Sequence, residues 1–122
     1  MPDWFGLYAG LEAAASRLRC FEPEFVHGLL QTPDYARAVI AADDQLSEDV
    51  LERRLRFRLE RQATVLDTDT SRSIMIVLGE AALRLVVGSA EVMAAQINHL
   101  RTATVDVRVL PFSAGAYPRL RP

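Results

Sequence analysis

The chain has 122 residues, half of them hydrophobic and a quarter charged, which is typical of a single globular domain. Its one cysteine, Cys20, excludes an internal disulfide, and because all fourteen basic residues are arginine, the lysine chemistry of Schiff bases and P-loops is excluded as well. The net charge of −2 is unlike that of a DNA-binding domain, and the sequence contains neither a membrane-spanning apolar run nor a signal peptide, so we expect a cytoplasmic protein.

The first half of the chain predicts three helices and one strand. Apolar residues at helical spacing indicate the helices, and an alternation of apolar and charged residues indicates the strand. Thr32 is suited to cap the second helix, with Pro33 in its first turn. In chain order the predicted elements are a helix over residues 4–16, a strand over Arg17–Phe21, a helix over Thr32–Ala42 and a helix from Ser47 or Asp49 to about Leu66.

The second half predicts two strands and two helices. Ile74–Leu78 is a continuous apolar run of strand length, which indicates a buried central strand. A short helix over Glu80–Val87 follows, and Ser89 is suited to cap a further helix that continues to about Leu100. Valines at every second position then indicate a third strand over Val105–Leu110.

The predicted element order is α-β-α-α-β-α-α-β. This order indicates an α/β or α+β domain in which a small three-stranded sheet packs against about five helices. No repeat or low-complexity segment divides the sequence, so residues 1–122 are predicted to form one domain. The last residues, 117–122, match no element.

Several common catalytic and metal-binding patterns are absent from the sequence. It contains no G-x-S-x-G, H-E-x-x-H, G-x-G-x-x-G or C-x-x-C motif. His27, His99 and Cys20 are scattered along the chain, so no metal site is predicted. We therefore expect no cofactor.

Two polar residues stand at positions where a site is plausible. Glu80 lies where a buried strand ends and a helix begins, a usual place for sites in α/β sheets, although a first-turn carboxylate also stabilises a helix without any further role. Gln62 occupies the leucine stripe of its helix, so at least part of its side chain should be buried. A buried amide requires partners, which could be a loop carbonyl or a polar cavity.

The helix "LERRLRFRLERQ" contains five arginines and two glutamates. Arginines clustered in this way can bind phosphate. The alternative is a solvated face that pairs with the many acidic residues among the first 50 positions.

A resemblance to a known family covers nearly the whole chain and rests on four stretches in register: "LYAGLEAAASRLRCFEPEFVHGLLQTPDYARAVI", "RLERQATVL", "VLGEAALRLVVGSAEVMAAQINHL" and "VRVLPFSAGAYP". They resemble an uncharacterised domain of bacterial transcription regulators. In those regulators the domain follows an N-terminal helix-turn-helix of the lambda-repressor-like (XRE) type.

The family's motifs match this sequence residue by residue. G-L-L-Q-T matches Gly28–Thr32, the following tyrosine is Tyr35, R-x-x-R-Q matches Arg58, Arg61 and Gln62, E-A-A-L matches Glu80–Leu83, the helix glutamine is Gln96, and L-P-x-x-x-G matches Leu110–Gly115. His27 departs from the family, which usually has proline there.

Two larger departures concern the ends of the domain. No helix-turn-helix is present, so the resemblance implies that DNA is reached only through an attached domain. The family domain usually continues with a further strand and a C-terminal helix, so this chain is expected to be a fragment or a shortened relative. A missing strand would leave a sheet edge open for pairing with another chain.

The resemblance implies a non-enzymatic regulatory domain that binds a small molecule or a small protein partner. A second hypothesis is a pure dimerisation module that sets the spacing of two helix-turn-helix units. A third is a small enzyme with Glu80 and Tyr35 as acid/base groups. In each case we expect a homo-oligomer without membrane contact.

The binding site predicted from the motifs is one polar cavity. Burying amides and carboxylates without partners is costly, so such groups should gather where they satisfy one another or a ligand. The alternative is that all of them are structural partners of backbone groups. The residues expected to converge are Gln31, Thr32, Tyr35, Gln62 and Glu80, with Arg58 or Arg61 facing Glu80.

Overall fold

The computed structural model describes residues 17–67 and 72–115. The predicted helix over residues 4–16 and the last residues, 117–122, lie outside this range. The described elements are β1 (Arg17–Glu22), a 3-10 turn (Gly28–Leu30), α1 (Pro33–Ala41), α2 (Glu48–Val65), β2 (Ser73–Gly79), α3 (Ala81–Arg84), α4 (Ala90–Arg101), β3 (Asp106–Leu110) and a second 3-10 turn (Phe112–Ala114).

The three strands form one parallel sheet in the order β1-β2-β3. Parallel neighbours need long crossovers, which α1 and α2 supply between β1 and β2, and α3 and α4 between β2 and β3. The predicted α/β class and the positions of all three strands are confirmed. Cys20 and Val107 flank Ile76 at the middle of the sheet, so β2 is the central strand, as its apolar run predicts.

The main core lies between one face of the sheet and the helices. Ile76 and Leu78 of β2 are fully buried and pack with Tyr35, Val65 and residues of the first 3-10 turn. A second, smaller cluster joins α1 and α2 and comprises Ala36, Ile40, Leu51 and Leu55. Because the strand alternation directs Ile74, Ile76 and Leu78 to one side, the crossover helices find a continuous apolar surface there.

Side-chain caps begin three of the helices. The hydroxyl oxygen of Thr32 accepts a hydrogen bond from the backbone nitrogen of Tyr35 at 3.2 Å, and Ser47 and Ser89 act in the same way at 3.3 and 3.2 Å. The caps predicted for Thr32 and Ser89 are confirmed, and Ser47 rather than Asp49 begins α2.

The predicted helix over Glu80–Val87 is too long. Helix α3 ends at Arg84, and Leu85 is extended with ψ 126°. Consecutive β-branched valines favour extended backbone over helix, and the extended path buries Val87 while Val86 stays 71% exposed. Gly88, at φ 73°, then turns the chain into α4.

The segment after β1 passes close over the end of β2. A β-carbon at Gly79 would collide with the carbonyl group of Pro23, so this approach requires glycine. The contact fixes where the chain leaves the sheet and enters the polar segment that follows.

Among the helices of the described residues, none combines the length and the hydrophobicity of a membrane-spanning segment.

Candidate functional site

Residues 26–32, here called the polar loop, connect the passage over β2 to helix α1. The loop contains the 3-10 turn, which is closed by a hydrogen bond from the backbone nitrogen of Leu30 to the carbonyl oxygen of His27 at 2.9 Å. Nδ1 of His27 accepts a hydrogen bond from the backbone nitrogen of Leu29 at 3.1 Å. His27 thus acts as the N-terminal cap of the turn.

Gln62 of α2 binds two carbonyl groups of the polar loop with one amide group. Its Nε2 donates to the carbonyl oxygens of Gly28 and Gln31, at 2.7 and 2.8 Å. A primary amide has two N–H donors, so both are used. The side chain of Gln31 in turn donates from Nε2 to the carbonyl oxygen of Val26 at 2.8 Å. The position of Gln62 in an apolar stripe is therefore explained by loop carbonyls as partners.

Gln96 of α4 binds the same loop from the other side and is fully buried. Its Nε2 donates to the carbonyl oxygen of Leu30, and its Oε1 accepts from the backbone nitrogen of Thr32, both at 2.8 Å. Together Gln31, Gln62 and Gln96 form what we call the amide clamp. The clamp satisfies loop backbone groups that would otherwise be buried without partners.

Tyr35 binds the backbone at the start of the polar loop. Its side chain is fully buried, and its hydroxyl oxygen accepts a hydrogen bond from the backbone nitrogen of Val26 at 3.1 Å. Burial raises the pKa of the Tyr35 hydroxyl, and the nearby carboxylate of Glu22 adds to the increase, although the bond from Val26 opposes it. The hydroxyl is therefore held neutral and serves the loop backbone.

Arg58 and Arg61 of α2 lie over the loop at Gly28. A β-carbon at Gly28 would be 3.2 Å from Nη1 of Arg61 and 3.8 Å from Cδ and Nε of Arg58. Nη1 of Arg58 donates to Oε1 of Gln31 at 2.9 Å. Burial, and secondarily the charge of Arg61, lower the pKa of the Arg58 guanidinium. Both arginines are half-buried, so they present positive charge at the rim of the loop.

Glu80 belongs to a different cluster. Its carboxylate accepts hydrogen bonds from the backbone nitrogen of Phe112, at 2.8 Å, and from the guanidinium of Arg84. These bonds, the one from Phe112 first, lower the pKa of Glu80. The expectation that Arg58 or Arg61 faces Glu80 therefore needs correction. The cause is the β2–β3 pairing, which places Leu110 beside the end of β2 and brings the following turn to the carboxylate.

The structure thus brings together most of the residues that the sequence motifs single out. All but Glu80 act on the polar loop or lie against it: Gln31, Thr32, Tyr35, Arg58, Arg61 and Gln62. Whether these residues bind a ligand stays a prediction. Within residues 17–67 and 72–115, no group of three His, Cys, Asp or Glu side chains is placed to hold a metal ion.

Sequence reasoning overlooked one carboxylate beside the loop. Glu22, the last residue of β1, is half-buried, and burial raises its pKa. Its charge also acts on Tyr35. The available signal was its place in "CFEPEF", where it follows an apolar strand and precedes Pro23, much as Glu80 follows β2.

The arrangement is suited to holding a loop and presenting it. The glutamine amides donate to and accept from backbone groups, and they do not transfer protons at neutral pH. Two guanidinium groups beside Gly28 add charge that could attract an anion or an acidic partner. This edge of the domain therefore carries hydrogen-bonding amides and positive charge.

A family model described as "Domain of unknown function (DUF5753)" matches residues 5–122, which is nearly the entire chain. No curated protein matches the chain, and no solved structure does.

Proposed function

The chain belongs to the DUF5753 family, and from that premise we propose that it is a cytoplasmic, non-enzymatic regulatory domain. It binds a small molecule or a small protein partner and controls an attached helix-turn-helix domain of the lambda-repressor-like type. The resemblance of its sequence motifs to the domain that follows such a helix-turn-helix in bacterial regulators supports this proposal.

The observation that carries the proposal is the way the amide clamp connects two helices through one loop. Gln62 of α2 and Gln96 of α4 both bind backbone groups of the polar loop. A ligand that moves the loop must break or shift bonds to both helices. Coupling between sites requires such an element with contacts on both sides. The loop is thus the part of the domain best placed to convert binding into a helix displacement.

The enzyme hypothesis, with Glu80 and Tyr35 as acid/base groups, has less support. The Tyr35 hydroxyl is buried and bonded to the backbone of Val26. Glu80 is bonded to Phe112 and Arg84, and its lowered pKa favours the ionised form. General acid–base catalysis needs groups within reach of one substrate and with pKa values near neutral pH.

A specific observation favours the dimerisation module as second candidate. Strand β3 pairs with β2 on one side, and it carries Val109, which is 44% exposed. Phe112, just beyond it, is 61% exposed. An apolar sheet edge is a surface that a second copy of the chain can cover.

The test uses a chimeric protein in which residues 1–122 are fused behind a lambda-repressor-like helix-turn-helix domain. The operator sequence of that domain is known. Operator occupancy is measured at fixed protein concentration with and without added small anions, and with and without proteins encoded beside the natural gene. We expect one of these to change operator affinity by about 5-fold or more, the lower end of ordinary allosteric coupling.

Two variants complete the test. Gln62→Ala should reduce the ligand response, whereas Gln45→Ala, at an exposed glutamine, should leave it unchanged. If occupancy depends only on protein concentration for every added compound and protein, the regulatory proposal fails and the dimerisation module is favoured. If the chain alone binds a DNA duplex specifically, both the regulatory proposal and the dimerisation proposal fail.

A further inference from the structure

We propose that two copies of the chain associate by antiparallel pairing of their β3 strands, with Val107 of each copy opposite Val107 of the other. The proposal rests on the dimerisation module, the second candidate under the proposed function, and it names the strand, the partner and the register. Strand β3 is the last in the sheet order β1-β2-β3, so within residues 17–67 and 72–115 no strand pairs with its outer edge.

The backbone of β3 is oriented for pairing on that outer edge. The backbone nitrogen of Glu80 donates to the carbonyl oxygen of Leu110 at 2.9 Å, so the peptide groups of Leu110 face β2. Because this orientation alternates along a strand, the N–H and C=O groups of Val107 and Val109 point away from β2. In an antiparallel pair, Val107 of each copy would exchange both N–H···O bonds with Val107 of the other.

The side chains of β3 select the register. Directly opposite residues share a face of the sheet, so a two-fold axis between two copies of one strand must pass beside a residue that lies opposite itself. An axis at Asp106 places two carboxylates opposite each other, and an axis at Arg108 places two guanidinium groups opposite each other. Like charges in that position are destabilising. An axis at Val107 instead places each Asp106 opposite Arg108 of the other copy.

The ion pair within each copy is compatible with this arrangement. Nε and Nη2 of Arg108 donate to the Asp106 carboxylate at 3.2 and 3.0 Å, and both side chains are exposed. Around the axis the four charges alternate in sign, so every neighbouring pair is opposite and like charges lie only on the diagonals. A carboxylate accepts several hydrogen bonds, so Asp106 can bind both arginines. Such a network stabilises more than an isolated exposed pair.

Apolar side chains on the other face of β3 match in the same register. Val107 lies beside Ile76 and Val109 beside Leu78, so the valines continue the buried face of β2. Val105 and Val107 pack against the main core, whereas Val109 is 44% exposed. The axis at Val107 brings Val109 opposite Val105 of the other copy, which covers it. Since β3 has only five residues, the interface is small and the dimer weak.

The test measures the dimer dissociation constant of the complete chain by sedimentation equilibrium. Asp106→Arg places arginines opposite each other at both positions, and Arg108→Asp does the same with carboxylates. Each variant alone should self-associate about tenfold more weakly or worse. An equal mixture of the two variants restores opposite charges at both positions, so it should form a heterodimer about as tight as the natural dimer. Asp44→Arg is the control, because it makes the same charge change at an exposed position outside the sheet.

The proposal is overturned if the natural chain stays monomeric up to about 1 mM. It is also overturned if the mixture of variants stays monomeric, or if Asp44→Arg weakens association as much as Asp106→Arg. Circular dichroism checks that each variant folds. If a single variant does not, the chain carrying both Asp106→Arg and Arg108→Asp replaces it, and failure of that chain to dimerise overturns the register.

The outcome is separable from that of the regulatory function. A monomeric chain leaves the regulatory function intact if the chimera still responds to an added compound or protein. A dimer in this register without any response of the chimera would contradict the regulatory function alone.

Discussion

Gln96 and Thr32 are 64 positions apart in the sequence, yet the side-chain oxygen of Gln96 accepts a hydrogen bond from the backbone nitrogen of Thr32 at 2.8 Å. The amide nitrogen of Gln96 simultaneously donates to the carbonyl of Leu30. The last turn of the polar loop is therefore fixed by a helix from the far end of the chain. This long-range contact determines where α1 begins, since Thr32 is also its N-terminal cap.

Replacing Gln96 with alanine should destabilise the domain strongly. The change leaves a backbone N–H and a backbone C=O without partners, and Gln96 is fully buried. We expect a loss of about 2–4 kcal/mol in the free energy of unfolding, measured by urea denaturation. Asn98→Ala, at an exposed amide of the same helix, should change it by less than about 0.5 kcal/mol. Equal effects of the two variants would contradict the assigned role of Gln96.

Gln62→Ala should loosen the loop more than it destabilises the whole domain. Gln62 is only half-buried, so water can replace part of its bonds to Gly28 and Gln31. We expect a loss of about 1–2 kcal/mol. Backbone amide hydrogen exchange in residues 26–32 should become faster, while exchange in β2 follows only the global change. Unchanged exchange in the loop would show that Gln62 does not hold it.

Glu22→Gln should stabilise the domain at neutral pH. Burial raises the pKa of Glu22, so the folded state disfavours its ionised form. Since the folded pKa is above the unfolded one, the stability associated with Glu22 is complete below the ordinary carboxyl pKa and is lost as the pH rises through the folded pKa. The advantage of Glu22→Gln should therefore disappear in acid. Urea denaturation at several pH values measures this difference in the free energy of unfolding. Glu24→Gln, at an exposed glutamate, is the control.

Glu80→Gln should have the opposite effect. The bonds from Phe112 and Arg84 lower the pKa of Glu80. Its contribution to stability is present above the unfolded pKa and is lost as the pH falls through the folded pKa. The variant should thus be less stable than the natural chain at neutral pH. The difference in the free energy of unfolding between the two proteins should shrink in acid. A variant that is more stable at neutral pH would show that the bond from Phe112 does not form in solution.

The chain should self-associate through its β3 edge. Val109 and Phe112 expose apolar surface at that edge. We expect sedimentation velocity at tens of micromolar to show a species larger than the 13.6 kDa monomer. Phe112→Ser should shift the equilibrium towards the monomer, whereas Val86→Ser, at a still more exposed valine outside the sheet, should not. A monomer at every concentration would contradict this expectation.

The sequence predicts those features that depend on local pattern. The three strands and the caps at Thr32 and Ser89 follow from alternation, apolar runs and hydroxyl side chains before helices. The burial of Gln62 follows from its place in a leucine stripe, and the need for partners follows from its burial. These inferences concern neighbours along one helix or strand, so a single sequence suffices for them.

Features that depend on strand register could not be predicted. The sequence places Glu80 at the end of a strand, but its partner Phe112 is set by how β3 aligns with β2. Gln96 matches the family's helix glutamine, yet nothing local in the sequence indicates that its partners are Leu30 and Thr32. The raised pKa of Glu22 likewise results from packing by elements distant in sequence.

The long-range bonds of Gln96 also determine when the polar loop becomes complete. At a synthesis rate of about 5–20 residues per second, the 64 positions between Thr32 and Gln96 correspond to roughly 3–13 s. During that interval the nascent chain contains the G-L-L-Q-T motif but lacks the helix that fixes its last turn. A molecule that recognises the finished shape of the loop can therefore bind only after α4 has emerged from the ribosome. Recognition of this loop would thereby distinguish chains that contain a folded α4 from shorter nascent chains.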